Sequence, residues 1–175
     1  MGPMTPRDSM SPMAQYLALA AIFSAGVFGY LMRAFDWLHA IPGDLVDARF
    51  NSIILEHLYL WVSGHAPSLW SPGYFYPFEG ALAFSDNHFG SGGVYVASRW
   101  LGLSREQAFQ AWFIAGSTLN FWATYYALRK LGFSIVSAGA GAFVYAFGLP
   151  SLAKAVALST AAAKAACASR CGART

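Results

Sequence analysis

The sequence predicts an all-α, polytopic integral membrane protein with about three transmembrane helices and amphipathic juxtamembrane helices in its first outer loop. Three observations support this fold class. Of the 175 residues, 57% are hydrophobic and 17% are aromatic. Only 11% are charged, whereas a soluble domain carries about 25%. The apolar residues also form runs that approach the roughly 20 residues that a membrane-spanning helix needs.

The first predicted transmembrane helix covers residues 13–33 and follows a disordered cytoplasmic lead at 1–12. Its apolar run reads MAQYLALAAIFSAGVFGYL. A signal peptide is the alternative, but the run is long for one and no A-x-A cleavage motif follows it. We therefore expect an uncleaved helix.

A periplasmic loop with interfacial helices is predicted at 34–104, which holds six of the eight acidic residues and all four histidines. From Asp47 to about residue 63 the pattern predicts an amphipathic helix, with Asp47 as its N-cap. Its expected apolar face contains Phe50, Ile53, Ile54, Leu58 and Trp61, and its polar face contains Arg49, Ser52, Glu56 and Ser63. Such a helix lies in the membrane interface or packs on a core, and the pattern fits both.

Two further transmembrane helices are predicted at 105–128 and 133–150. A capping box of Ser104 and Gln107 begins the first of them. Arg129 and Lys130 form a basic turn between the two helices, and basic turns of this kind stay in the cytoplasm. The N-terminus is therefore expected in the cytoplasm of a bacterium, with the protein crossing the inner membrane several times.

The remainder, 151–175, is an Ala-rich tail unlike the rest of the chain, because all 29 aromatic residues precede position 148. We favour an out-of-frame ending over a genuine tail, since GC-rich codons yield Ala, Arg and Gly in shifted frames. Both cysteines lie in this tail and lack the partners of a zinc site. The net charge of +3 comes from scattered residues, so no nucleic-acid partner is expected.

Two polar clusters in the outer loop are candidate sites. In GDLVDAR, Asp44 and Asp47 are spaced to converge on a divalent cation or to act as a general base, and Arg49 can meet a phosphate oxygen. The structural alternative is a turn and a helix cap. In FSDNHFG, Asp86 and His88 are adequate ligands for a metal ion, or parts of a polar turn.

A third candidate is LEHLY, where Glu56 and His57 are adjacent. Neighbouring side chains on a helix point about 100° apart. We therefore expect only one of the two to face a shared site.

The order of these segments resembles the N-terminal part of the polytopic bacterial membrane glycosyltransferases of the GT-C type. The resemblance covers residues 14–153 and depends on GDLVDAR, ILEHLYLW, LWSPGYFYP, FSDNHFG and LRKLGFS in that order. The family has many more spans, so this chain resembles a fragment, and we do not expect the fragment alone to be active.

The resemblance implies a sugar transferase that uses a polyprenyl-phosphate-linked donor, with membrane lipid around it. It also implies Asp44 or Asp47 as the base or metal ligand, Arg49 at the donor phosphate, and Asp86 with His88 at a second site for Mg²⁺ or Mn²⁺. Association with other membrane helices is open. The alternatives are a non-catalytic scaffold or assembly subunit and, less favoured because 108–128 has no charge, a transporter fragment.

Overall fold

The computed structural model describes residues 10–39, 47–74 and 76–148, and every regular element in these ranges is helical. The prediction of an all-α fold is therefore confirmed for the described chain. The α-helices are α1 (Pro12–Gly26), α2 (Met32–Ala34), α3 (Asp47–Val62), α4 (Gly93–Trp100), α5 (Arg105–Lys130) and α6 (Ile135–Phe147). A π-helical turn, Val27–Leu31, joins α1 to α2, and a 3-10 turn covers Ala81–Phe84.

One helical run within the described residues, Pro12–Ala34, is long and apolar enough to cross a membrane. It has 23 residues, so it is about 34 Å long at roughly 1.5 Å per residue. Helix α5 is longer, with 26 residues, but Tyr, Trp, Gln, Asn and Thr side chains lower its hydropathy. Helix α6 is apolar but has only 13 residues. Membrane crossing by α5 and α6 remains a prediction.

Helices α1 and α5 pack antiparallel. The rings of Phe23 and Phe121 lie 5.0 Å apart, and those of Phe35 and Phe113 lie 5.7 Å apart. Residue numbers therefore rise from Phe23 to Phe35 in the direction in which they fall from Phe121 to Phe113, so the two helical runs are antiparallel. The large side chains in this contact bury apolar surface against one another, and their close packing adds dispersion contacts. The buried residues of this bundle are Leu19, Leu31, Phe35, Phe121, Ala142, Ala146 and Phe147.

Helix α6 runs parallel to α1 and packs very closely on it. Leu19 lies beside Gly139, and the Phe147 ring lies directly on Gly26. Small residues let the helix backbones approach, as is typical of membrane bundles. Phe147 also packs on Phe121 at 6.0 Å between ring centroids. Helix α6 ends at Phe147, beside Phe121 of α5, and among the described residues it covers α5 only from that level to its C-terminal end.

A second layer consists of α3 and α4, which pack on the first part of α5, residues 105–112. Its core contains Leu55, Tyr95, Ala108 and Phe109. The two layers meet near Gln110, whose side-chain amide donates to the carbonyl of Leu38 at 3.1 Å. This hydrogen bond places Leu38, four residues after the Pro12–Ala34 run, beside the second turn of α5.

The face of α3 that is buried differs from the predicted one. Ile54 and Leu58 are buried as expected, but Ile53 is half exposed and Glu56 is only 5% exposed. Periodicity placed Glu56 on the polar face, and the carboxylate is buried because α4 and α5 supply its partners. The helix begins at Asp47, so Asp47 lies in its first turn, where its charge suits the helix dipole. The capping box of α5 is confirmed.

Candidate functional site

The first predicted cluster lies at the start of α3. Asp44 lies outside the described residues. Asp47 and Arg49 are exposed in the first turn of the helix. Asn51 follows Asp47 by four residues, so the two side chains lie on the same face of α3.

The second predicted cluster is brought against this first turn by His88. Its Nε2 is 2.9 Å from Oδ1 of Asn51, so the ring N–H donates to the Asn51 amide. The His88 ring also lies edge-on to Trp112, with the centroids 5.1 Å apart. His88 adopts a φ of 49°, a left-handed conformation that costs a non-glycine residue free energy. The hydrogen bond and the ring contact hold it there. Asp86, two residues earlier, is exposed.

The His88 environment leaves one ring nitrogen available. Burial lowers the pKa of His88, and the nearby Asp86 carboxylate opposes that shift. The imidazole is therefore neutral at pH 7. Because Nε2 carries the proton that is donated to Asn51, Nδ1 keeps its lone pair and can bind a metal ion or accept a proton.

The chemistry of a metal site fits only in part. Among the described residues no group of three or more His, Cys, Asp or Glu side chains is placed to hold a metal ion. Asp86 and His88 offer one carboxylate and one imidazole. Mg²⁺ is usually bound through one or two carboxylates together with water and substrate phosphates. A metal at these residues would therefore depend on a phosphorylated substrate for further ligands.

A groove of about 800 Å³ lies between α5 and the end of α6 among the described residues. Its lower end is formed by Val144 and Tyr145 near the end of α6, and its upper end by Ser91 and Trp112. Gly116, Ser117 and Asn120 line its length. Trp112 also contacts His88. The groove therefore leads from the middle of the helix bundle to the second predicted cluster.

Glu56 is engaged in a buried ion cluster that joins three helices. The Tyr95 hydroxyl donates to Oε2 at 2.7 Å, and Arg99 of α4 donates from Nε at 3.1 Å and from Nη2 to Oε1 at 3.2 Å. Arg105 of α5 lies 3.3 Å from Oε1. Arg99 also lies over the ring of Tyr59, with 4.9 Å to its centroid. The carboxylate therefore links α3 to α4 and to the start of α5.

The Tyr95 and Arg99 side chains of this cluster both hold their protons more tightly than usual. Burial raises the pKa of Tyr95 far above its ordinary value, and its hydrogen bond to Glu56 adds to that shift. The Glu56 carboxylate raises the pKa of Arg99 through a hydrogen bond. Both donors keep their protons at physiological pH. Every contact of Glu56 is with a group that stabilises its charge, so its role is structural rather than that of a base.

His57 has a separate structural role. Its Nε2 lies 2.9 Å and 3.1 Å from the carbonyls of Ser68 and Leu69. Glu56 and His57 therefore face different neighbours, as their adjacent positions predicted, and neither joins the first cluster.

Sequence reasoning missed Asn51 and Trp112, since a lone Asn and one Trp in an aromatic-rich chain carry no distinctive signal. Arg99 and Arg105, close together near the predicted start of the second transmembrane helix, were a signal for the Glu56 cluster.

Comparison with protein-family models, with curated proteins and with solved structures found no match to this chain. Function is therefore inferred from the residues of this chain and from the resemblance that their order carries.

Proposed function

We propose that this chain is part of a GT-C-like membrane glycosyltransferase, which transfers a sugar from a polyprenyl-phosphate-linked donor to an acceptor at the outer face of the membrane. Asp44 or Asp47 would deprotonate the acceptor hydroxyl, and Arg49 would contact the donor phosphate. The rate enhancement would come from general-base catalysis and from stabilisation of the leaving phosphate. Asp86 and His88 would hold a divalent ion, Mg²⁺ or Mn²⁺, on that phosphate.

One observation supports this proposal above the others: the groove along α5 ends at the cluster that carries the polar residues. Trp112 lines the groove and touches His88, and His88 is hydrogen-bonded to Asn51 on the helix that carries Asp47 and Arg49. A lipid-linked substrate needs this arrangement, because its hydrocarbon chain lies at membrane depth while its phosphate lies at the surface.

The proposed arrangement in the bacterial inner membrane is multi-pass, with the N-terminus in the cytoplasm. Residues 113–130 of α5 are about 27 Å long, close to the roughly 30 Å of the hydrocarbon core. Helix α6 is about 20 Å long over its described residues. Association with further membrane helices is part of the proposal.

Binding of the donor lipid tests the proposal without requiring turnover. The full chain, purified in a maltoside detergent, is titrated with decaprenyl phosphate and with decaprenol, and tryptophan fluorescence is followed. The phosphate should bind at least tenfold more tightly than the alcohol. Arg49→Gln should remove most of that difference, whereas Arg129→Gln, at the other end of the bundle, should not. Equal affinity for phosphate and alcohol in the unmodified chain would refute the proposal.

A non-catalytic scaffold or assembly subunit is the second candidate function. It is favoured by the engagement of Glu56 and His57, two of the acidic and histidine side chains of the outer loop, in purely structural contacts. Asp44→Ala and Asp47→Ala separate the two functions in a host where the gene has a phenotype. Loss of the phenotype at normal membrane levels favours a site, and falling levels with no separate loss favour the scaffold.

A further inference from the structure

A second concave site lies beside the start of α3. This cleft, of about 460 Å³, is lined by Phe50 of α3 and by Phe78, Glu79, Ala81, Phe84 and Ser85 of the following loop. We name it the aromatic cleft. It shares none of its lining residues with the α5 groove, and no residue assigned above to sugar transfer lines it.

The phenylalanine rings of the aromatic cleft are open to a ligand. Phe78 is 77% exposed and Phe84 is 93% exposed. Phe50 packs its ring against Tyr74 at 5.5 Å, and no ring pair is formed among the three cleft phenylalanines in the described chain. Aromatic side chains normally bury most of their area on one another or in a core. Here they surround a space and leave their faces free.

The charge in the aromatic cleft selects the kind of ligand. Glu79 is exposed, and both ion pairs within the described residues involve Glu56 rather than Glu79. Its carboxylate therefore gives the cleft an unneutralised negative charge. The negative faces of the aromatic rings add to the attraction for a cation. A phosphate would be repelled, and a bare hydrocarbon chain would desolvate the carboxylate at a cost.

We propose that the aromatic cleft binds an alkylammonium group, with its positive charge between the phenylalanine faces and beside the Glu79 carboxylate. The group is either the head of a zwitterionic lipid or a soluble amine, since both carry the same cationic chemistry. This binding is independent of the proposed sugar transfer and involves no bond making or breaking.

Choline and 3,3-dimethylbutan-1-ol provide the first test, because they have nearly the same shape and differ in charge. Each is titrated into the full chain in a maltoside detergent, and binding is measured by saturation-transfer NMR. Choline should bind at least about tenfold more tightly than the neutral alcohol, in line with a cation–π contact and an adjacent carboxylate. Absence of choline binding, or equal binding of both compounds, overturns the proposal.

Matched variants place the binding in the cleft. Glu79→Gln and Phe84→Ala should each weaken choline binding about five- to tenfold. Both side chains are exposed, so folding should be retained, and circular dichroism checks it. Phe89→Ala, at an exposed phenylalanine outside the cleft, is the control and should leave binding unchanged. A loss of binding in Phe89→Ala as large as in Phe84→Ala overturns the assignment.

Nanodiscs distinguish the two sources of the ammonium group. If a lipid head occupies the cleft, choline should bind the chain in phosphatidylglycerol discs and bind far more weakly in phosphatidylcholine discs. If the natural ligand is soluble, the two affinities should agree. Either result supports the cleft as an ammonium site. Failure in both kinds of disc overturns it, whatever the outcome with decaprenyl phosphate.

Discussion

Replacement of Glu56 by glutamine should weaken the packing of the second layer, α3 and α4, on α5. The substitution keeps the shape of the side chain but removes the negative charge that Tyr95, Arg99 and Arg105 surround. Glutamine has one carbonyl oxygen in place of two charged oxygens, and its NH₂ group would face two arginines. The arginines would then be held near a buried position without a counter-charge.

The expected cost follows from the burial of each partner. Removal of one member of a buried ion pair costs about 3–5 kcal/mol. Arg105 is 58% exposed on its side chain, so its contact contributes no more than about 1 kcal/mol. Arg99 is 22% exposed and is partly solvated, which favours the lower end of the range. We therefore expect Glu56→Gln to cost about 3 kcal/mol of local stability.

Hydrogen–deuterium exchange of the full chain in detergent measures this loss where it occurs. Amides of α3 and α4 should exchange on the order of a hundredfold faster in Glu56→Gln, since about 1.4 kcal/mol corresponds to a factor of ten. Amides of α1 and α6 should change little, because their core shares no buried residue with the α3–α4 layer.

Glu106→Gln is the matched control, because Glu106 is an exposed glutamate that interacts electrostatically with Arg105 and Arg99. It should cost less than about 1 kcal/mol, as expected for surface charges. The reasoning is refuted if Glu56→Gln changes exchange in α3 and α4 by less than about threefold, or if Glu106→Gln has an equal effect.

Three further predictions concern pH, packing and topology. The lowered pKa of His88 means that the unfolded chain binds a proton at a higher pH than the folded chain. The contribution of His88 to the stability of the fold is therefore complete above about pH 6.5 and falls as the pH drops toward the folded pKa. In EDTA, the melting temperature of His88→Gln should depend less on pH between about 7.5 and 5 than that of the unmodified chain, and an equal or greater dependence would contradict the shift. Gly26→Ala should destabilise the bundle by about 1–3 kcal/mol, since its Cβ would overlap a ring of α6, whereas Gly29→Ala, with open space around its Cβ, should be neutral or stabilising in the same melts. In a cysteine-free background, Trp100→Cys should react with an impermeant maleimide from the periplasmic side and Leu131→Cys only after the cells are opened; the reverse pattern would reject the proposed orientation.

Much of the helical layout was predictable because it depends on local chemistry. The capping box of Ser104 and Gln107 defined the start of α5, and the 3.6-residue pattern defined α3. The short α4 was less predictable, since the glycines at positions 90, 92 and 93 weaken any periodic signal and Gly93 begins the helix. Local signals of this kind operate within a few residues, so the sequence alone exposes them.

The candidate site was predictable only as separate pieces. The motifs that contain Asp47 and His88 were identified from residue types, but their contact depends on Asn51, which lies on a different turn and has no distinctive neighbours. The hydrogen bond between Asn51 and His88 joins residues 37 positions apart. No local pattern reports such a pairing, because it forms only when α3 and α4 pack on the same part of α5.

The sequence by itself determined that this chain is helical, apolar and rich in aromatic residues, since composition and periodicity dictate local conformation and burial. It also determined that most acidic residues and all four histidines lie in the segment 34–104 of the chain. Only the tertiary structure decided that Glu56 is buried rather than solvated, because burial of a carboxylate requires charges from Arg99 and Arg105 on other helices. It alone decided how closely α6 packs on α1, where the Phe147 ring lies on Gly26, and that Val144 and Tyr145 of α6 line a groove with Trp112 of α5.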